Sequence, residues 1–343
     1  MKISIENESK LIEEILLAYG VQKNEASIVA DVITDGDLKG FSTHGLGRFP
    51  QYIKSINAGT IKTEGDYEIE KESPSTAMIN GNHKFGHYVT VKAMDLAVKK
   101  ASETGVGIVG IHDSNHYGIA GYYSDLASLQ DMIGIVISNT EPAMAPFGGK
   151  KALLGTNPIT ISIPSDDIHN YICVDMATSV TARGKLLESK RKGEKIPEGL
   201  ALDKDGNPTT DPAAGLEGSI LPFGGFKGYA LAFMFELLAG PLVGAEYGEK
   251  VKGTATPDEM CTKGDLLIAI DPEHFAGSMQ FKFYVDRFVS EIREENGVIP
   301  GDREIENINK NHENGTPVDP VLYKQLIEIA EAKDLDIESY FEE

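Results

Sequence analysis

Tryptophan is absent from this 343-residue chain, cysteine occurs twice, and basic residues are scarce: 32 Lys and Arg stand against 53 Asp and Glu. Each shortage excludes something. Cys173 and Cys261 are far apart and fit no C-x-x-C or other metal-ligand spacing, so the sequence builds neither a disulfide framework nor a zinc centre. Both read as small buried thiols. A formal charge of −21, with no basic stripe, excludes a nucleic-acid or anionic-membrane partner, since either needs clustered cations to displace counterions. The opening residues MKISIENE hold no apolar core of signal-peptide length, which gives the expectation of a cytoplasmic protein. No internal repeat or low-complexity tract stands out. The most apolar run, Tyr229 to Ala245, is interrupted by Glu236 and Pro241 and reads as a buried core helix, too short to span a bilayer.

What is present is enough chain for about two domains of roughly 100 to 200 residues. Leu11, Ile12, Ile15, Leu16 and Tyr19 recur at helical spacing, with Gly20 as the stop; a second helix runs from Asn24 to about Gly40, and the first sixty residues read as all-helical. Strand-like runs come later, at Val106–Ile111, Ile133–Ser138, Ile159–Pro164, Tyr171–Asp175 and Leu266–Asp271, with a helix from about Gly118 to Gln130 between the first two. Leu187 to Phe226 reads as a long connection rich in Gly, Pro, Lys and Asp. Its Asp203/Asp205 pair lacks the further ligands of a calcium loop and reads as a turn. Asp319 caps a last helix carrying Leu322, Leu326 and Ile329.

Gly105, Gly107 and Gly110 spell G-x-G-x-x-G, but in the wrong order for a dinucleotide turn. Such glycines must follow a strand and open a helix. Here Val91, Met94, Val98 and Ala101 mark a helix that ends at Gly105, and a strand follows. Gly105 is therefore a helix C-cap needing positive φ, and any nucleotide is bound by other means.

Three segments combine reactive side chains with glycine-rich backbone. In Ser42–Arg48, a helix starting about Gly45 would place His44 and Arg48 on one face at its positive end, a proton-transfer group beside a carboxylate clamp. The alternative is that Thr43 is an N-cap and that His44 and Arg48 are solvated or structural. In Ser114–Gly118, His116 sits where a strand delivers it to a loop; His112, at the end of that strand, lacks the helical spacing of a metal pair with it. Asn139–Pro158 is a stiff loop of small residues and prolines. Later, Phe223–Gly228 leads into the apolar helix and puts Lys227 and free N–H groups at its start, either a phosphate site or a surface cation.

Together these segments resemble the type-2 malate/L-lactate dehydrogenase family of non-Rossmann, nicotinamide-dependent 2-hydroxyacid dehydrogenases. The matching stretches are DLKGFSTHGLGRFPQYI, SNHYGIAGYYSDLA, SNTEPAMAPFGGKKALLGTNPI, VDMATSVTARGK, PFGGFKGYALAF and IPGD, in family order. Stretches such as DKDGNPTTDPA and VKGTATP look most like the archaeal malate/sulfolactate branch. The resemblance implies an α/β fold: a cofactor-binding and catalytic domain (73–295) with a largely antiparallel mixed sheet, and a helical, dimerising domain built from 1–72 and 296–343. It implies a homodimer and NAD or NADP as cofactor; the spacing of the cysteines and histidines gives no metal site. His116 carries over as proton donor or acceptor with His44 nearby, and the division of labour between them stays open. Arg48 carries over as the carboxylate clamp, with Thr43 and Asn115 as further substrate contacts. Asn139, Thr140, Asp175, Met176, Ala177, Lys227, Gly228, Gly301, Asp302 and Arg303 fall in nucleotide-contacting segments. The family commonly reads Pro-Gly-Glu where this chain has Pro300, Gly301, Asp302, which puts a side-chain role there in doubt.

The implied reaction is reversible oxidation of an L-2-hydroxy acid, malate or sulfolactate foremost, with Arg183 and Lys185 as candidates for the second anionic group. A reductase of a cyclic imine or keto sugar acid, or a non-enzymatic nucleotide-binding protein, are the competing readings. Asp175 slightly favours NAD by repelling a 2′-phosphate. The acidity is partly peripheral: residues 301 to 343 hold 12 acids against 4 bases, residues 111 to 160 only 4 against 2. A small anionic substrate must then rely on local cations.

Overall fold

The computed structural model describes residues 1–166 and 171–342. The chain opens with β1 (Lys2–Ile3), α1 (Ile5–Ala18), α2 (Lys23–Leu38) and α3 (Phe49–Ala58), then β2 (Glu68–Glu72), β3 (Thr76–Asn80), α4 (Gly86–Thr104), β4 (Val106–His112) and α5 (Gly121–Ser128). It continues through β5 (Ile133–Ser138), β6 (Ile159–Pro164), β7 (Tyr171–Met176), α6 (Arg183–Lys192), β8 (Ala201–Leu202), β9 (Pro208–Thr209), α7 (Pro212–Glu217), β10 (Ser219–Ile220) and α8 (Phe226–Ala239). Last come β11 (Asp265–Ile270), α9 (Ser278–Glu294), α10 (Asp302–Asn314), β12 (Thr316–Pro317), α11 (Pro320–Glu331) and β13 (Phe341–Glu342).

The main sheet has the order β2-β3-β4-β11-β5-β6-β7. Only β3 and β4 run parallel; the other pairs are antiparallel, as expected. Its centre is β11, where Leu267 lies opposite Val109 on one side and Val136 on the other. These three join Leu11, Ile15 and Leu326 from the helices at the chain ends in one continuous core. The other face carries Ile137 and Leu266 against Phe235 and Ala239 of α8. The two chain ends meet where β1 pairs with both β12 and β13.

Local signals explain most elements. Ser4 accepts from the Asn7 N–H and Asp319 from Val321 and Leu322, capping α1 and α11. Gly105 ends α4 with φ 86°, so the G-x-G-x-x-G string is indeed a C-cap followed by a strand. The edge strand β2 went unread because its sequence, EIEKE, is exposed at every position; it has no inward apolar face, and its charges protect an edge instead.

Two expectations need correction. Leu187–Phe226 is a small folded unit, not a plain connection: α6, α7 and the sheet β10-β8-β9 enclose Leu186, Ile196, Ala201 and Ile220. The Asp203 carboxylate there accepts from the Asp205 and Asn207 N–H groups, the expected turn. The helix from Tyr229 is not wholly buried. Gly228, Ala232, Phe235, Glu236 and Ala239 face inward, while Leu231, Met234 and Leu237 are exposed. By length and composition alone Phe226–Val243 could cross a membrane, yet one side of α8 packs on β5 and β11. The cysteines are unpaired, Cys261 buried and Cys173 half-buried.

Candidate active site

Where the sequence suggested a helix from Gly45, the chain makes a turn at His44–Gly45, a short 3-10 segment at Leu46–Arg48 and only then α3. Pro50 explains the delay, because proline fits an α-helix only in its first turn. His44 and Arg48 therefore do not share a helical face, but the turn still brings both to one place. Asp37 at the end of α2 holds it: its Oδ2 accepts the Leu46 N–H at 2.5 Å. A Cβ on Gly45 would overlap the Asp37 carboxyl group, so glycine is required there by close approach.

His116 arrives from the other side, four residues beyond β4. Its ring stacks on His44 with centroids 5.6 Å apart. The Tyr52 hydroxyl lies 2.7 Å from its Nδ1, and the Gly118 N–H donates to the same nitrogen at 3.1 Å. His44 Nδ1 pairs with the Thr43 hydroxyl at 3.0 Å, which replaces the capping role expected of Thr43. His87 from α4 is fully buried and meets Tyr52 edge-on at 4.9 Å. Arg48 donates to the Thr254 carbonyl, while its buried Nε has no partner among the described residues.

Burial and the Arg48 charge push His44 down to about 4 and His87 down to about 3. His116 is held well below the ordinary imidazole range by burial first, then by Arg48, His44, His87 and Lys263. Both stacked rings are thus neutral at pH 7 and able to accept a proton. Lys263, over the Tyr117 ring at 4.3 Å, is paired with Asp265 at 2.5 Å.

The predicted cofactor segments form one strip beside this loop. The Thr156 N–H donates to Thr140 Oγ1, the Thr178 N–H to the Thr156 carbonyl, the Phe223 N–H to the Thr178 carbonyl, and the Gly228 N–H to the Phe223 carbonyl. Thr140, the Asp175–Ala177 end of β7 and the start of α8 with Lys227 are thereby aligned. Gly301, with φ 99°, opens α10 and lines a small cavity with Asp175, Gly121 and Glu304. Two bridges join strip and loop. A Cβ on Gly184, in the first turn of α6, would lie 3.8 Å from Thr43, so the backbone at the start of α6 touches the loop; Lys185 beside it is exposed, while the exposed Arg183 donates to the Leu216 carbonyl at 3.2 Å. Ala255, next to Thr254, donates to Glu141 Oε1 at 3.0 Å.

Several predicted residues prove to be committed elsewhere. The Asn115 side chain donates to the carbonyls of Thr60, His83 and Lys84, tying its loop down rather than reaching for substrate. Asn139 accepts from Gly264 N–H and donates to the Glu246 carbonyl; buried and satisfied, its side chain braces the strip from behind. Asp175 accepts from Gly121 N–H at 2.7 Å at the start of α5 and is pushed up to about 6 by burial. Asp302 accepts from Ile299 N–H and pairs with Arg293, so its carboxylate is used locally. Arg303 is exposed at the start of α10, Met176 is exposed and Ala177 half-buried. His112 pairs with Glu70 and Asp113, and no metal-binding cluster occurs among the described residues.

Sequence reasoning missed Tyr52, Asp37, His87, Glu236, Thr254 and Lys263. Tyr52 alone carried a local signal, four residues beyond Arg48 on the helix that follows it. Glu236 accepts from Asn157 Nδ2 at 2.6 Å and Gly248 N–H at 2.8 Å, anchoring the strip's loops to α8; nothing in its local sequence points to that.

The chain from residue 3 to 327 matches the family model described as malate/L-lactate dehydrogenase. It is 61% identical to the malate/(S)-sulfolactate dehydrogenase of Methanothermus fervidus, over 98% of this chain and 99% of that one. The solved sulfolactate dehydrogenase from Methanocaldococcus jannaschii superimposes with a TM-score of 0.95 at 54% identity, covering both chains completely. The malate dehydrogenase of Pyrococcus horikoshii does so with a TM-score of 0.88 at 32% identity, covering 98% of this chain and 96% of that one. With this breadth of likeness added to the fold and the clustered His44, Arg48 and His116, the chain belongs to the malate/L-lactate dehydrogenase family of oxidoreductases.

Proposed function

We propose that this chain transfers a hydride reversibly between NAD and C2 of an L-2-hydroxy acid/2-oxo acid pair bearing a second anionic group, malate/oxaloacetate or sulfolactate/sulfopyruvate. One observation carries the reading: two stacked imidazoles meet, at one loop, an arginine whose buried Nε has no partner among the described residues, and the start of α6 lies against that loop. Arg48 supports a fork on the C1 carboxylate, which fixes how C2 is presented; such orientation is worth up to about 7–11 kcal/mol of barrier in well-aligned cases. A neutral imidazole of the His44–His116 pair takes the hydroxyl proton during oxidation and returns it during reduction. The uncapped first turn of α6 supports the second anionic group through the Lys185 charge and the N–H groups of Arg183 and Gly184, the Arg183 side chain being held by the Leu216 carbonyl.

The strip fits a dinucleotide. Gly224 and Gly225 adopt positive φ and leave the start of α8 without a side-chain cap, so the Phe226 and Lys227 N–H groups and the Lys227 side chain are available to phosphate, the Gly228 N–H being held by the Phe223 carbonyl. Gly301 would meet the Cys173 carbonyl at 3.4 Å if it carried a Cβ, which keeps the start of α10 close to β7. When bound, the nicotinamide ring supplies or takes the hydride. NAD is favoured over NADP by the carboxylates of Asp175 and Glu304 at this edge. The one cation lining the cavity among the described residues, Lys39, is occupied by Asp35 and Asp125 at 2.7 and 2.8 Å. The exposed apolar sides of α8 (Leu231, Met234, Leu237) and α9 (Met279, Phe283, Phe288) support a homodimer joined there, on the 73–295 unit rather than on the helical unit from the chain ends.

Initial rates with NADH and NADPH, each against oxaloacetate, sulfopyruvate, 2-oxoglutarate, pyruvate and a cyclic imine 2-carboxylate, test this. Turnover with NADH and a dianionic 2-oxo acid, at a kcat/KM about tenfold or more above pyruvate, is expected from one added ion pair. Turnover of the cyclic imine alone, or none, overturns it.

A further inference from the structure

The two partners of His116 Nδ1 differ in kind. The Gly118 N–H can only donate, and it does so at 3.1 Å. Nδ1 is therefore an acceptor in the free enzyme, and the neutral ring carries its proton on Nε2. The Tyr52 hydroxyl, at 2.7 Å, can reverse: it donates to a bare Nδ1 and can accept from a protonated one. It is the only such partner of Nδ1 among the described residues. Burial holds the phenol itself neutral, raising it far above the ordinary tyrosine range against the opposing pull of the nearby Arg48.

The charges around the ring decide when that reversal happens. His44 stacks on it from the catalytic loop and is neutral; His87 reaches it from α4 and is neutral too. Lys263, just before β11, is matched by Asp265 at 2.5 Å. Arg48 is the remaining charge, and its partners are uncharged: the Thr254 carbonyl and the Tyr52 hydroxyl itself. Burial is the first cause that keeps His116 unprotonated and the Arg48 charge the second; a substrate carboxylate on Arg48 would cancel that second contribution.

We propose that Tyr52 is a positioning residue that couples the Arg48 clamp to the protonation of His116: its hydroxyl donates to Nδ1 while Arg48 is empty and accepts from Nδ1–H once a carboxylate sits on Arg48. The inference rests on the functional reading above and deepens it. The free enzyme then presents an Nε2–H imidazole; with substrate in place the ring takes a second proton from solvent at Nδ1, the Gly118 N–H gives up its acceptor there, and the imidazolium returns its Nε2 proton to the C2 oxygen.

The test compares wild type with Tyr52→Phe, which keeps the buried ring and removes only the hydroxyl. The kcat/KM profile reports the free enzyme and the kcat profile the complex. For wild type the histidine pKa is expected about one unit or more higher in kcat than in kcat/KM, a tenfold change in protonation. In Tyr52→Phe the two values draw together and kcat falls about 10- to 100-fold, with KM for the 2-oxo acid little changed. An unchanged gap, with only a lower melting temperature, makes Tyr52 a packing residue and overturns the proposal. Nitrogen-15 histidine spectra of the wild-type protein give a second readout that needs neither turnover nor the variant. His116 is expected as the Nε2–H tautomer alone, becoming doubly protonated at the same pH when tartronate is added; an Nδ1–H tautomer in the free protein, or no change with bound tartronate, refutes the coupling. Lack of turnover with every 2-oxo acid would overturn the functional reading while leaving the free-protein tautomer to be read independently.

Discussion

Removing the acceptor at Asp37 should separate the stability of this protein from its chemistry. The residue is nearly buried, at 8% exposure, and its Oδ2 receives the Leu46 N–H at 2.5 Å. Asp37→Ala leaves that N–H buried and unpaired, a cost of about 1–3 kcal/mol. It also vacates the space against which Gly45 is pressed, so His44 and Arg48 on either side lose their fixed backbone. A displacement of about 1 Å at a positioning group costs on the order of 10²-fold in rate. We therefore expect Asp37→Ala to lower kcat/KM for oxaloacetate reduction by about 10²-fold while the protein remains folded. Asp37→Asn, whose Oδ1 can still accept from Leu46, should retain activity within about tenfold of wild type, since the hydrogen bond survives and only its charge assistance is lost. Gly45→Ala presses on the same carboxylate from the other side and should resemble Asp37→Ala. Urea unfolding with steady-state kinetics on all three variants decides the matter. Wild-type kcat/KM in Asp37→Ala, or equal damage from Ala and Asn, would refute the claim that this hydrogen bond holds the catalytic loop.

Two further expectations follow from burial and surface. Glu8 is fully buried and forms no ion pair among the described residues; burial and the neighbouring Asp37 raise its carboxyl well above the ordinary range, and burial pushes Asp37 up to about 6. The folded protein thus holds a proton that the unfolded chain releases above about pH 4.5, so this pair's contribution to stability falls as pH rises through the folded value. Glu8→Gln, which keeps a donor without the titration, should flatten melting temperature against pH between about 5 and 8; an unchanged slope would show that the pair does not titrate there. Wild type is expected to sediment as the proposed dimer, and Met234→Glu, on the exposed side of α8, as monomers. Burying the methionine is worth roughly 1.5–3 kcal/mol per copy, and the glutamate that replaces it would have to be desolvated for the dimer to form. A dimer of wild-type strength would place the interface elsewhere.

The sequence was most legible where one residue's chemistry forces a local outcome. Gly105 had to end a helix, Asp319 had to begin one, and the apolar runs of β4, β5, β6 and β11 could only be interior strands. His44, Arg48 and His116 were picked out by type and setting, and the fold brings them together across a separation no periodicity reveals. The misses share a cause as well. Asn115 and Asn139 look reactive in a string, but their amides are satisfied by backbone atoms distant in the chain. Glu236 and Lys263 look ordinary for the same reason, since each acquires its role only when α8 and the approach to β11 close over the loops. The exposed β2 and the half-exposed α8 misled in opposite directions: polarity hid a strand, and apolarity suggested burial where a surface is left open.

The central claim is that hydride transfer to an anionic 2-oxo acid takes place at the loop holding His44 and Arg48, facing His116. Its most direct test is kcat/KM for NADH-dependent reduction of oxaloacetate by Arg48→Lys, which keeps the positive charge but loses the planar fork. The account predicts a loss of about 10²-fold or more, the cost of a misaligned carboxylate. A value within about twofold of wild type, too little to register one lost hydrogen bond, would show that the substrate carboxylate is held somewhere else.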